Sequence, residues 1–242
     1  MDILEIILIC VCSLLALGFV LVRVFKGGIA GLLMKTFASF GFVSSGVIGI
    51  VISDLSGNYK WAAGLIVIGL LLGMIGDIVL DLKVIYEGND KYFLNAGMLS
   101  FFVGHICYIS AFSVWVNPIQ RFTSALSIPV ALLISAGIAI LLTVGTLLSG
   151  KKMMGLSFGK FIYQTIAYTF ILNMSMAYLL VLSLFVANLW LAFVGLVLFL
   201  LSDIVLSLQY FGGKLSNKPL IAINHILYYA AQIIILAVAF ML

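Results

Sequence analysis

Apolar runs about as long as a bilayer is thick alternate with short polar breaks along almost the whole chain. Such runs must be helical, because backbone groups in hydrocarbon have to bond within their own segment unless strands close into a barrel. The ten-residue alternation of a barrel strand is not seen. The pattern predicts eight spans, at about 3–22, 31–52, 62–82, 94–114, 126–148, 161–186, 188–209 and 219–241. The fold class expected is therefore an all-α membrane protein, an eight-transmembrane-helix bundle.

Composition strengthens this reading, since 65% of the 242 residues are hydrophobic and only 8% charged. A soluble domain would carry about 25% charge, so lipid is the expected solvent. Residues 1–242 read as a single polytopic membrane domain, the loop around Glu87-Gly88-Asn89-Asp90-Lys91 being simply polar and exposed. The acidic start Met1-Asp2-Ile3-Leu4-Glu5 lacks the positive flank of a signal peptide, so the first run is expected to be a retained span. Cys10, Cys12 and Cys107 fall inside apolar runs and suggest no disulfide framework.

Charge then gives an orientation. Lys60 and Arg121 are the only basic residues on one side of the predicted spans, whereas Arg23, Lys26, Lys35, Lys83, Lys91, Lys151, Lys152, Lys160, Lys214 and Lys218 fall on the other. Basic loops stay cytoplasmic, which predicts both termini outside the cell membrane. The net charge of +4 expresses this same bias and calls for no nucleic-acid partner.

Two short echoes recur in order. Asp77-Ile78-Val79-Leu80 in span three repeats as Asp203-Ile204-Val205-Leu206 in span seven, and His105-Ile106-Cys107-Tyr108 in span four is matched by His225-Ile226-Leu227-Tyr228 in span eight. A duplication would give two parallel four-helix halves, about 1–118 and 119–242, related by an axis along the membrane normal.

Ionisable groups within spans are expensive, at about 2.5–3.5 kcal/mol on insertion scales, and mark function by default. Asp77 and Asp203 read as the two acids so placed. Gly69, Gly73 and Asp77 recur every fourth residue, a small-residue stripe that turns Asp77 toward protein, and Asp203 shares a face with Gly195 and Phe199. His225, Tyr228, Tyr229 and Gln232 form a polar stripe on span eight; His105 with Tyr108, and Tyr168 with Asn173, add polar groups to spans four and six. Each also has a structural reading, as interhelical hydrogen bonding. Lys35 suits either an interface-seeking lysine or a contact to a lipid phosphate. A zinc site from Asp77, Asp203, His105 and His225 is a weaker alternative, and no cofactor or metal is expected. Nucleophile-elbow, His-Glu-x-x-His and phosphate-loop motifs are absent.

Gly76-Asp77-x-x-Leu80, Gly97-x-x-x-Phe101-x-x-x-His105-x-x-Tyr108, Ser202-Asp203-x-x-Leu206 and Tyr228-Tyr229-x-x-Gln232 together resemble the YhhN family of lysoplasmalogenases. One departure is Thr36 after Lys35, where the family tends to show proline. The resemblance implies hydrolysis of the vinyl ether bond of a lysoplasmalogen to a fatty aldehyde and glycerophosphoethanolamine or glycerophosphocholine. Vinyl ether cleavage needs an acid and a stabiliser for an oxocarbenium ion, a division that paired carboxyls perform in glycosidases. Asp77 and Asp203 would be that pair. His225 and Tyr229 would orient water or the carboxyls, Lys35 would meet the phosphate, and His105, Tyr108, Tyr168, Asn173, Tyr228 and Gln232 would bind or orient. Expected partners are the lysophospholipid and membrane lipids, with a homodimer left open. A proton-coupled transporter and a lipid-binding protein without hydrolytic activity are the rival readings.

Overall fold

The computed structural model describes residues 2–86, 90–214 and 217–242, apart from the side chains of 83–85, 90 and 121. Residues 87–89 of the polar loop fall outside the described residues. The elements are α1 (Ile3–Phe25), α2 (Gly28–Ile52), α3 (Gly57–Ile85), α4 (Asp90–Val116), α5 (Gln120–Ala125), α6 (Ile128–Met153), α7 (Ile162–Ser183), α8 (Leu189–Tyr210) and α9 (Lys218–Phe240), with no strand among the described residues. All except α5 are long and apolar enough to cross a membrane, eight in number as the hydropathy pattern predicts, and the chain is an integral membrane protein.

Local signals start several of these helices. Asp2 and Glu5 form a capping box at α1, the Asp2 amide donating to Glu5 Oε2 at 2.8 Å. Asn217 caps α9 by accepting the Leu220 amide at 3.0 Å, with Pro219 in the first turn, where a missing amide hydrogen does no harm.

Helices α1, α2, α3, α4, α7 and α8 pack in succession, and α9 closes the bundle against α8, α1, α2 and α3. The α6 helix packs chiefly on the outside of α7. The succession α1–α2–α3–α4 is repeated as α6–α7–α8–α9. Large apolar side chains such as Leu14, Leu17, Leu133 and Leu141 are exposed, while Lys35, Asp77, Asp81, His225 and Gln232 are buried. This arrangement follows from lipid as solvent, where burial of apolar groups brings helices no advantage and packing and hydrogen bonds hold them together. Ser100 Oγ donates to Leu72 O at 2.6 Å, Asn173 Nδ2 to Thr143 Oγ1 at 3.1 Å, and Asn224 Nδ2 to Ser202 O at 2.8 Å, joining α4 to α3, α7 to α6 and α9 to α8.

The small-residue stripe on α3 explains the closest of these approaches. A Cβ at Gly69 would lie 2.4 Å from the Tyr108 ring, one at Gly73 2.9 Å from Gln232 Nε2, and one at Gly76 2.7 Å from the Phe101 ring. Larger residues here would push α4 and α9 away from the face that carries Asp77.

Two features depart from the sequence expectation. The short α5 lies in what read as a plain loop; its buried Phe122 packs edge-on against Phe185 at 6.0 Å, an anchorage too brief to leave a periodic signal. The α6–α7 connection turns back under the bundle, with Leu156 and Phe158 buried, the Ser157 amide donating to Phe211 O at 3.1 Å, and the Phe158 and Phe211 rings 5.1 Å apart. This tuck fixes the end of α8 beside the site.

Candidate functional site

A partly enclosed cavity of about 560 Å³ runs through the bundle from the α1–α2 turn, at Arg23, Gly27 and Gly28, to Phe101 and Tyr228. Asp77 from α3 and Asp203 from α8 both line it. Much of the wall is apolar, including Leu80, Leu94, Met98, Phe101, Leu172 and Leu200. The mixture of few polar groups in an apolar wall is that of a small-molecule or lipid site.

The first carboxyl is held by charge. Asp77 is 4% exposed; its Oδ1 lies 3.1 Å from Lys35 Nζ and its Oδ2 accepts the Ser39 hydroxyl at 3.2 Å. The Tyr229 hydroxyl stands 3.0 Å from Ser39 Oγ and donates to Lys35 O at 3.2 Å, so α9 braces both of the residues that hold Asp77. Lys35 Nζ also reaches Asp81 Oδ1 at 3.5 Å, and that oxygen accepts from Arg23 Nη2 at 3.0 Å. The result is a ladder of alternating charge, Arg23, Asp81, Lys35 and Asp77, across α1, α3 and α2. In a low-dielectric interior an ion pair is tolerated when its members are mutually compensated, and here each is.

Two expectations are corrected by this ladder. Asp77 and Asp203 are not the only acids within spans, because Asp81, inside the predicted third span, is 3% exposed. The signal was available: Asp81 is four residues after Asp77 and therefore on the same helical face. Lys35 does not seek the interface either. It is 4% exposed and its ammonium turns inward to two carboxylates, whose field compensates a buried cation on the spot.

The second carboxyl is held by hydroxyls. Asp203 accepts a hydrogen bond from the Tyr168 hydroxyl, and Ser202 Oγ lies 3.5 Å from Asp203 Oδ1. Among the described residues no cation pairs with Asp203. The Asn224 bond to the Ser202 carbonyl fixes the turn of α8 that presents it. Phe101, which packs against Tyr168, and Phe199, which packs against Phe101, shield this side.

Of the residues singled out from sequence, Lys35, Asp77, Tyr168, Asp203, His225 and Tyr228 line the cavity. A chain runs back from Tyr228 on the wall: Tyr108 OH donates to Gln232 Oε1 at 3.4 Å and Gln232 Nε2 to Tyr228 OH at 2.7 Å. The His225 ring packs edge-on against Phe19 at 4.8 Å. His105 and Asn173 are not part of the lining. His105 Nδ1 bonds with Ser175 Oγ at 3.0 Å beside Phe199, and Asn173 ties α7 to α6. Among the described residues no group of three or more His, Cys, Asp or Glu is gathered to hold a metal, so the four residues weighed as zinc ligands do not assemble into one.

Sequence reasoning missed Arg23, Asp81, Ser39 and Asn224. Arg23 was read only as part of the basic face, and the serine and asparagine act through contacts between helices that no one-dimensional pattern displays.

The family model described as YhhN family matches residues 30–239, a stretch that holds both aspartates and Lys35 and leaves out all of α1. No curated protein and no solved structure matches the chain.

Proposed function

The chain belongs to the YhhN family, which includes lysoplasmalogenases, and on this premise we propose that it hydrolyses the vinyl ether bond of a lysoplasmalogen inside its own helix bundle. The observation that carries the reading is that Asp77 and Asp203, on different helices, line one cavity with apolar walls, and only Asp77 is paired with a cation among the described residues.

Vinyl ether hydrolysis begins with proton transfer to the alkene carbon one removed from the ether oxygen. The C=C electrons form the new C–H bond, and an oxygen lone pair closes an oxocarbenium ion. Asp203 is the proton donor in this scheme, because among the described residues no cation pairs with it to hold it ionised, while the Tyr168 and Ser202 hydroxyls are placed to stabilise the carboxylate that forms as the proton leaves. Asp77, beside the Lys35 ammonium, is the carboxylate that stabilises the cation. Water adds to the cationic carbon and gives up a proton to a carboxylate. The hemiacetal then collapses: its hydroxyl gives up its proton to a carboxylate as the C=O bond forms, the bond to the glycerol oxygen breaks, and that oxygen takes a proton from the carboxyl acid, releasing a fatty aldehyde and a glycerophospho-base.

Tyr228 and His225, on the cavity wall, orient the water, and the apolar side chains receive the alkenyl chain. The protein works in the cell membrane with both termini outside, which sets the basic end of the bundle, and with it the Arg23 end of the cavity, at the cytoplasmic face. Each span runs as one unbroken helix among the described residues, so the discontinuous helices expected of many carriers lend transport no support.

The test is aldehyde release by purified, detergent-solubilised protein given lysoplasmenylethanolamine or lysoplasmenylcholine. Release by the wild type, abolished in folded Asp77→Asn and Asp203→Asn variants, is the expected result. No release from folded wild type with either headgroup overturns the hydrolase reading.

A further inference from the structure

The mechanism leaves Arg23 and Asp81, half of the charge ladder, without a task. Asp81 lines the cavity and both of its cationic partners, Arg23 and Lys35, bond to the same oxygen, Oδ1. Oδ2 is buried and has no hydrogen-bond partner among the described residues. Buried carboxylate oxygens are almost always satisfied, and an orphan one on a residue that lines a cavity calls for a donor from outside the protein. Arg23 has complementary capacity: it carries five N–H donors, its bond to Asp81 uses Nη2, and it lines the cavity too.

A guanidinium and a carboxylate held 3.0 Å apart form a fixed dipole on the wall. A phosphoethanolamine headgroup is a dipole of the same kind and of opposite sense, with an anionic phosphate and a cationic primary ammonium two carbons away. Laid against Arg23 and Asp81, its phosphate faces the guanidinium and its ammonium donates to Oδ2. The backbone of Gly27 and Gly28 beside Arg23 leaves open space at Gly28, where a Cβ would meet nothing within 4 Å. A trimethylammonium group has no N–H to give and is too wide to bond the oxygen directly.

We infer that Arg23 and Asp81 form a headgroup site that selects a zwitterionic phosphoethanolamine over a phosphocholine by satisfying Asp81 Oδ2. This rests on the reading of the cavity as a lysophospholipid site, but not on hydrolysis. The test therefore uses binding alone, with saturated lysophosphatidylethanolamine, lysophosphatidylcholine and monoacylglycerol of one chain length, each displacing a fluorescent lysolipid from the solubilised protein.

Wild type is expected to bind the ethanolamine lipid about tenfold more tightly than the choline lipid, the size of one charge-assisted hydrogen bond. Asp81→Asn should bring that ratio to near one. Arg23→Gln should weaken both phospholipids toward the affinity of monoacylglycerol, whose own binding stays unchanged. Equal wild-type affinity for the two headgroups overturns the inference, as does a ratio that survives in Asp81→Asn or phospholipid affinities untouched by Arg23→Gln. If Asp81→Asn does not fold, the wild-type ratio and the Arg23 variant still decide. Headgroup selectivity without aldehyde release would remove the proposed hydrolysis and leave this site standing; aldehyde release without selectivity would do the reverse.

Discussion

Asp77 and Asp203 stand at corresponding letters of the repeated Asp-Ile-Val-Leu, each on a helix that packs against both its predecessor and its successor, yet their surroundings differ in kind. Around Asp77 stand a lysine from α2, a second acid from its own helix and, beyond them, an arginine from α1. Around Asp203 stand a tyrosine from α7, a serine from its own helix and aromatic rings. Two like carboxyls lining one cavity would otherwise compete for the same protonation state, and a difference in partners is the means by which a structure assigns them different tasks. The contrast teaches that identity of motif need not mean identity of role.

The sharpest way to break this comparison is at the carboxyls themselves. Asp203→Asn is expected to lower aldehyde release by about 10²–10⁴-fold, the range for a lost general acid, with the thermal midpoint in detergent little changed, since an amide still accepts from Tyr168. If the roles are as assigned, Asp77→Asn also loses activity but additionally leaves Lys35 with one partner fewer, and its midpoint falls.

Next in size is Lys35→Met. Removing the cation strands Asp77 and Asp81, and breaking a buried pair in this way destabilises by about 3–5 kcal/mol, read as a drop in the denaturation midpoint. The double variant Lys35→Met with Asp77→Asn should recover part of that loss; a strictly additive pair would contradict the ladder.

A smaller effect is expected at Tyr168→Phe. One hydrogen bond to Asp203 disappears, so kcat should fall about tenfold, a loss of roughly 1.4 kcal/mol, with KM nearly unchanged because the hydroxyl acts on the acid and not on the lipid. Ser39→Ala should be mildest, at about 1 kcal/mol of stability, because Asp77 keeps Lys35. A larger activity loss in Ser39→Ala than in Tyr168→Phe would reverse the assignment of the two carboxyls.

Much of the architecture was legible because span length and hydropathy act through local sequence: a run of apolar residues in lipid has little choice but a helix. The face of α3 that approaches its neighbours was equally legible, since Gly69, Gly73 and Asp77 repeat at the helical period. What escaped depends on pairing in three dimensions. The partner of Lys35 lies 42 positions away at Asp77, and nothing in the composition of α2 names it. Asp81 was overlooked because an acid near the end of a predicted span looks like the start of a loop, whereas α3 continues to Ile85. The tuck of residues 156–158 beneath α8 depends on two phenylalanines meeting across a long separation, which periodicity does not record.

The ladder has an electrical consequence. Arg23 and Lys35 carry two positive charges and Asp77 and Asp81 two negative ones, so the four fixed groups sum to zero. A membrane potential does work on a charge at about 2.3 kcal/mol per 100 mV, and a cluster with no net charge offers it almost nothing to pull. The resident groups can therefore sit at depth in an energised membrane without being drawn toward either face, and de-energising that membrane should leave the site's geometry where it was.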